Sequence, residues 1–194
     1  IDSGGRPAEP PPRPPRGKVA VHCVFTADEP HGDIYAAISP WVAGRRGSGN
    51  VPVVPHMVHL PDEPGDLREA LGIPRSATVL GRHGGYDTFN IPQVRELAAR
   101  AVQARPDLHL LFLNTRPFAE HPRILHLPRT ADPVEKTRFI NTCDGMLHAR
   151  AEGETFGLAI GEFSIRNRPV IAWSGGHDRF HVEVLGAKGL FYAD

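Results

Sequence analysis

Apolar residues along the second two thirds of the chain fall into short runs that alternate with amphipathic stretches. The runs have the length and composition of buried strands, and the stretches between them repeat their apolar residues at helical spacing. This alternation predicts an α/β fold with a doubly wound, Rossmann-like parallel sheet, whose ligands bind at the carboxyl ends of the strands. The predicted strands are residues 77–81, 108–113, 124–127, 145–148, 169–172 and 190–192, and the predicted helices are 91–104, 132 onward, 156–166 and about 178 onward.

Capping residues place the starts of two of these helices. Asn90 and Gln93 form a plausible capping pair for the first helix. Asp132, Pro133 and Glu135 supply an N-cap, a first-turn proline and an acid for the second.

The first part of the chain is less regular. Residues 1–17 are rich in Pro, Gly and Arg and predict a disordered or polyproline-like arm. Residues 18–25 predict a strand, 33–42 a strand or a helix, and 45–50 a loop, while the prolines within 51–60 favour an edge strand or a connector. We therefore expect three segments: the arm at 1–17, a remnant of an acceptor-side domain with a connector at 18–62, and a nucleotide-sugar (donor) binding domain at 63–194.

Charge and composition exclude several classes of function. Lys plus Arg and Asp plus Glu number 22 each among 194 residues, so no net positive field favours nucleic acid or an anionic membrane. The two cysteines, Cys23 and Cys143, form no metal-binding or disulfide pattern, and no apolar run reaches the roughly 20 residues of a transmembrane helix. These features predict a cytoplasmic protein.

The residues with the clearest functional signal lie between Glu152 and Ala172. Glu154 lies just before a predicted helix and Glu162 lies eight residues later, on that helix. The first turn between them, Phe156 to Leu158, has amide N–H groups without intrahelical partners, which suit a diphosphate. Either glutamate alone is more typical of a capped or solvated helix. The pair, with the flanking glycines and the following strand, favours a site for phosphate and sugar hydroxyls.

The same stretch resembles a known signature. ETFGLAIGEFSIRNRPVIAWSGG is similar to the E-x7-E motif of the retaining GT-B fold glycosyltransferases of group 1 type, followed by that family's PVIA strand and Gly-Gly turn. Upstream, VPVVPHMVHLP resembles the family's interdomain connector, and LREALGIP with TVLGR resembles the entry into its donor-binding C-terminal domain. The resemblance covers roughly residues 51–194 and implies the C-terminal half of a GT-B enzyme.

The resemblance also implies roles for individual residues. It implies that Glu154 contacts the transferred sugar, Glu162 the ribose, and Arg82 the diphosphate, with Glu154 and Arg82 as the catalytic pair. A guanidinium suits the last role because it binds phosphate bidentately and offsets charge on the departing diphosphate. The remaining donor-binding candidates are Gly84, Gly85, Arg129, Thr155, Phe156, Gly157, Leu158 and His177.

The chain departs from the family pattern at two points. Thr155 replaces the first glycine of the family's EGFG. Where the family usually carries a lysine a few residues after the arginine, this chain has Tyr86, Asp87 and Thr88.

Other polar residues have simpler readings. His177 and His181 would share a helix face at a spacing used by zinc sites, but no third ligand accompanies them, so no metal site is predicted. His22, and the His31–Asp33 turn, carry no assigned mechanism. Arg129 borders the nucleotide base or is solvated, with equal weight.

Three functions remain open at this point. The first is a glycosyltransferase donor domain that uses a nucleoside-diphosphate sugar and no obligatory cofactor, with the missing acceptor domain on a longer chain and an unknown glycan, lipid or protein as acceptor. The second is a non-catalytic nucleotide-sugar-binding module, which the missing lysine favours. The third is a nucleotide-sugar epimerase of the same fold.

Overall fold

The computed structural model describes residues 15–25, 32–45 and 51–193. The predicted arm up to residue 14, His31 and nearly all of the predicted 45–50 loop lie outside the described residues. Within the described ranges, every helix is too short or too polar to cross a bilayer.

The centre of the fold is a six-stranded sheet in which every strand pair is parallel. The strand order is β10-β8-β6-β3-β4-β5, so the chain winds outward from β3 in one direction and then returns to continue from β6 in the other. This order confirms the doubly wound prediction and places the switch between β3 and β6. The strands are β3 (Thr78–His83), β4 (Leu108–Leu113), β5 (Ile124–Leu127), β6 (Gly145–His148), β8 (Val170–Trp173) and β10 (Leu190–Tyr192).

Helices cover both faces of the sheet. The strand β4 shows why, because all six of its residues are buried and alternate between two apolar clusters. Leu111 and Leu113 face the cluster that contains Phe139 and Phe163, whereas its other apolar side chains face the cluster around Val102. The helices are α2 (Pro92–Ala104), α3 (Pro133–Thr142), α4 (Leu158–Ile165) and α5 (Phe180–Leu185), followed by a short 3₁₀ turn at Gly186–Lys188.

Several predicted boundaries were wrong by a few residues, for identifiable reasons. The strand β3 runs on to His83, so Arg82, which lies outside the predicted strand 77–81, belongs to the strand and not to the segment after it. The helix α4 begins at Leu158 and not at Phe156. The reason is that Gly157 has a left-handed φ of 87°, which does not fit helical geometry. The helix α5 begins at Phe180, because Asp178 and Arg179 form the short strand β9 (Asp178–Arg179).

Of the two predicted helix caps, one is confirmed and one was wrong. Asp132 accepts a hydrogen bond from the Val134 amide and caps α3 as predicted. The Asn90–Gln93 pair was wrong: Ile91 is the N-cap residue of α2, and the Asn90 side chain bonds the loop after β6.

The segment before residue 60 forms a smaller unit. The strands β1 (Ala20–Cys23) and β2 (Ile34–Ala37) pair in parallel, and α1 (Pro40–Arg45) follows, so the ambiguous 33–42 stretch is a strand and then a helix. The predicted connector is irregular apart from one bridge between Val53 and Ala37.

The connector packs on the larger unit. Val58 lies against Gly161 of α4, where an added Cβ would come within 2.9 Å of its methyl group. His56 meets the Phe156 ring edge-on at 5.4 Å.

Candidate functional site

The switch between β3 and β6 lies at the carboxyl edge of the sheet, where doubly wound proteins form the crevice that binds their ligands. Arg82 and His83 end β3, and His148 ends β6. The short strand β7 (Gly153–Glu154) pairs with β9 just beyond this edge and fixes the backbone of Glu154. The topology therefore brings Arg82 and Glu154 close enough for the carboxylate to attract the guanidinium.

Arg82 is a buried cation, with only 2% of its surface exposed. Its Nη1 donates to Thr115 Oγ1 at 3.1 Å, its Nη2 donates to Thr88 Oγ1, and the guanidinium lies 5.8 Å from the centre of the Phe89 ring. Among the described residues, its Nε has no hydrogen-bond partner. Burial lowers the pKa of Arg82 to about 10, despite attraction from Glu154, so the side chain is charged at neutral pH.

Two neutral hydroxyls thus bond Arg82 where a carboxylate would be expected. A buried guanidinium with no direct carboxylate contact among the described residues is costly, which makes Arg82 a candidate for binding an anion. The Arg82 side chain lies at the carboxyl edge of the sheet, but it is buried beneath the loop that follows β3 and not on the surface of that loop.

Glu154 has the opposite surroundings. Its Oε2 lies 3.0 Å from Arg150 Nη1, and its Oε1 lies 3.4 Å from His148 Nε2. Burial acts to raise the pKa of Glu154, but a hydrogen bond from His148 and the charge of Arg150 hold it below its usual value, so the carboxylate is ionised at neutral pH.

The two histidines beside Glu154 are fully buried. His181 accepts from the Glu154 amide through Nδ1 at 3.3 Å and therefore donates through Nε2 to the Trp173 carbonyl at 2.8 Å, which makes it the neutral Nε2–H tautomer. Burial lowers the pKa of His148, which is therefore neutral at pH 7. These histidines support the Glu154 strand and add no charge to the crevice.

Asn90 ties the two walls of the crevice together. Its amide donates to the Ala149 carbonyl at 3.0 Å, its Oδ1 accepts from the Ala151 amide at 2.8 Å, and its Nδ2 lies 3.2 Å from both oxygens of Glu152. The loop after β3 is thereby fixed to the loop after β6.

The start of α4 is partly exposed and carries no side-chain cap among the described residues. Its N-cap residue, Gly157, has no side chain, and no described side chain caps the helix. The free amides are those of Leu158, Ala159 and Ile160, two residues later than predicted, and Leu158 is 41% exposed. Phe156 packs against the apolar cluster of the smaller unit instead.

Glu162 lies in the core and not on a solvent face. Its Oε1 contacts Lys136 Nζ at 2.5 Å and its Oε2 contacts His83 Nε2 at 2.9 Å. The His83 ring stacks on Phe163 and meets Phe139 edge-on. Burial acts to raise the pKa of Glu162, but His83 and Lys136 hold it below its usual value.

A cavity of about 270 Å³ lies near the cluster of Glu162, His83 and Lys136, at the carboxyl ends of β4 and β5. Arg129 and Thr130 line its polar side, and Phe139 and Leu127 its apolar side. Phe139 also contacts His83, so the cavity adjoins the surroundings of Glu162.

The remaining predicted residues take varied positions. Gly84 accepts from the Asn114 side chain at 2.7 Å, and Gly85 accepts from the Thr88 amide at 3.1 Å, so both shape the loop above Arg82. Thr155 is buried. His177 is exposed and precedes β9, so it does not share a helix face with His181.

Five residues near these positions escaped the sequence analysis as site candidates. His83, Asn90, Lys136, His148 and Arg150 all contact a predicted acid or its loop. A signal was present for Arg150 and His148, because His148 ends a predicted strand and Arg150 lies two residues after it, at its carboxyl end. Within the described part of the chain, no group of three or more His, Cys, Asp or Glu side chains could hold a metal ion.

No protein-family model and no curated protein matches the chain by sequence. Solved structures do match it. The crystal structure of Anabaena Alr3699/HepE in complex with UDP-glucose aligns over 82% of this chain with a TM-score of 0.59 and 19% identity. The crystal structure of TarM aligns over 82% with a TM-score of 0.57 and 12% identity. The complex of Alr3699/HepE with UDP and glucose aligns over 66% with a TM-score of 0.51 and 21% identity.

These neighbours are GT-B glycosyltransferases. The chain has the fold of one half of a GT-B protein. At these identities the likeness establishes the fold, and the aligned part spans 50%, 33% and 37% of the three neighbours. The predicted fold class is therefore confirmed.

Proposed function

We propose that this chain is the donor-binding half of a glycosyltransferase that retains the configuration of the transferred sugar. It binds a nucleoside-diphosphate sugar in the crevice between β3 and β6, and the acceptor approaches from a domain on a longer chain. The observation that carries the proposal is the buried Arg82, which directly contacts no carboxylate among the described residues, at the same edge of the sheet as the uncapped start of α4. A diphosphate supplies the missing counter-charge and accepts from the free amides.

The parts of the donor follow the order of the site. The base occupies the cavity lined by Arg129 and Phe139, and the ribose lies toward Glu162, whose neighbour His83 contacts Phe139. The diphosphate meets the amides from Leu158 to Ile160. The sugar reaches Glu154, whose ionised carboxylate accepts hydrogen bonds from hydroxyls. The proposal requires no obligatory metal, since the helix amides and Arg82 stabilise the leaving diphosphate.

The non-catalytic module is the second candidate, and one observation favours it. Both oxygens of Glu162 already contact cationic or histidine groups, and its side chain is only 4% exposed. A ribose diol must therefore displace Lys136, whose side chain is 28% exposed, before it can reach this carboxylate. In a module that binds nucleotide weakly, we expect the acid at this position to be blocked by its own neighbours in this way.

Leu158 provides the test of the first proposal. We expect Leu158→Glu to keep or slightly raise thermal stability, because an acid at a helix start interacts favourably with the dipole, by roughly 0.3–1 kcal/mol. The same carboxylate repels a diphosphate, so affinity for UDP, GDP or ADP falls roughly tenfold or more. Leu158→Gln is the matched neutral control and changes affinity little.

Isothermal titration with the three nucleoside diphosphates and their sugars measures these affinities. If the folded, unsubstituted chain binds none of them, or if Leu158→Glu binds as tightly as Leu158→Gln, the diphosphate is not at α4. Anomeric analysis of product formed by the longer chain tests retention, and transfer with inversion contradicts it. Diphosphate binding without transfer by the longer chain would favour the module.

A further inference from the structure

The crevice holds a second arginine that differs from Arg82 in exposure. Arg150 lies two residues after the end of β6, and its side chain is 21% exposed. Its Nη1 donates to Glu154 Oε2 at 3.0 Å, and its Nε lies 3.5 Å from Glu152 Oε2. Arg82, by contrast, has both terminal nitrogens bonded to Thr115 and Thr88 beneath the loop. Arg150 is thus the more accessible guanidinium of the two.

Two arginines and two glutamates meet at this crevice, and their contacts are unequal. The side chain of Asn90 holds Glu152, whose Oε2 lies 3.5 Å from Arg150 Nε. Glu154 pairs with Arg150 at 3.0 Å and attracts Arg82, whereas the charge of Arg150 adds to burial in lowering the pKa of Arg82. The two guanidinium groups therefore lie close enough to repel each other, and an anion between them relieves that repulsion.

We propose that Arg150 binds the diphosphate of the donor together with Arg82, and so supplies the second cation that the loop after Arg82 lacks. This inference rests on the proposed function. Tyr86, Asp87 and Thr88 occupy the stretch where a lysine is expected, and Asp87 is paired with Arg116 at 2.5 Å, so that loop offers no free cation nearby. Arg150 reaches the same crevice from the neighbouring strand.

The shape of the side chain permits this double role. A guanidinium has five N–H donors in one plane. The contact with Glu154 takes one of them and Glu152 lies 3.5 Å from Nε, so the remaining donors of Arg150 can reach a phosphate oxygen without releasing either acid. It would then hold the sugar-contacting carboxylate and the leaving group in one fixed relation.

Arg150→Gln tests the inference, with Arg150→Lys as the conservative variant and Arg100→Gln, on the exposed face of α2, as the matched control. The probes are UDP, GDP, ADP, the corresponding nucleosides and inorganic pyrophosphate, each measured by calorimetric titration. We expect Arg150→Gln to weaken binding of the preferred diphosphate roughly 10- to 100-fold and that of its nucleoside less than twofold, as loss of a charge-assisted hydrogen bond predicts. Arg150→Lys recovers part of the loss, and Arg100→Gln binds like the unsubstituted chain.

Two outcomes would overturn the inference alone. Unchanged diphosphate affinity in a folded Arg150→Gln variant shows that Arg150 does not touch phosphate. Weaker binding of the nucleotide sugar with no change for the free diphosphate shows that Arg150 acts only through Glu154. If the unsubstituted chain binds no diphosphate, the proposed function fails and this inference falls with it. Thermal denaturation of each variant checks that the fold is intact.

Discussion

The two glutamates of the E-x7-E spacing lie in contrasting surroundings. Glu162 is part of the core, because its carboxylate contacts His83 and Lys136 and the aromatic ring of Phe163 supports His83. Glu154 lies on the two-residue strand β7 at the rim of a crevice, and its side chain is 20% exposed. One acid is enclosed by packing, and the other is held by a cation that solvent and ligand can reach.

The contrast shows that equal residue types at a motif spacing do not imply equal tasks. Both acids have a lowered pKa, but a histidine and a lysine from two packed elements produce the effect at Glu162, whereas the neighbouring Arg150 and His148 produce it at Glu154. Substitutions near Glu162 should therefore change stability first, and substitutions near Glu154 should change binding first.

The largest expected effect is on the core side. Phe163→Ala removes a fully buried ring that stacks on His83, and we expect the free energy of unfolding to fall by about 3–5 kcal/mol. Urea denaturation followed by circular dichroism measures the change. Leu158→Ala, at the exposed start of α4, is the comparison variant and should lower it by less than about 1 kcal/mol. Equal losses in the two variants would remove the contrast between the regions.

The next effect concerns the Glu162 charge. Glu162→Gln leaves Lys136 without its acid, and we expect a loss of about 1–3 kcal/mol near neutral pH. The pKa of Glu162 in the fold lies below the usual 4.5, so the charge stabilises the protein fully above pH 4.5. That stabilisation is lost as the pH falls through the lowered pKa.

Denaturation at pH 7 and at pH values below 4.5 checks this sign. The difference in unfolding free energy between the unsubstituted chain and Glu162→Gln should shrink with acidification. A difference that grows toward acid pH would mean that the carboxylate is not stabilised by its neighbours. Nucleotide affinity measured on the same samples separates a structural role from ribose binding.

The smallest effect tests the turn before α4. Gly157 has a φ of 87°, and an added Cβ would meet the flexible end of Ile160 at 3.2 Å, so Gly157→Ala should cost about 1–2 kcal/mol through backbone strain. Gly72→Ala is the matched control, because Gly72 has a φ of 64° with open space around its Cβ position. Both variants should lose similar stability. Only Gly157→Ala should also lower diphosphate affinity, since it alone shifts the free amides.

Most of the sheet could be predicted from the sequence. The strands β4, β5, β6 and β10 match their predicted bounds residue for residue, because each is a compact apolar run with polar residues or turns at both ends. Asp132 was predicted as a cap for a similarly local reason, since side chain and amide lie two residues apart.

The surroundings of the site could not be predicted, because they depend on residues far apart in the chain. Lys136 meets Glu162 across 26 positions, and Asn90 meets Glu152 across 62. Local patterns favoured a helix cap for Asn90, and the long-range contacts prevailed. The short strand pair of β7 and β9 has two residues per strand, too few for any periodicity.

The bonds of Asn90 have a consequence for recognition. A groove whose walls must first come together loses conformational freedom when it takes up a molecule, and that loss weakens the association. Here the side chain and the backbone amide of Asn90 already join the two walls. The ordering is therefore complete once the chain has folded. The site is then ordered before a ligand binds, and its hydrogen-bond donors are already in position for a phosphate.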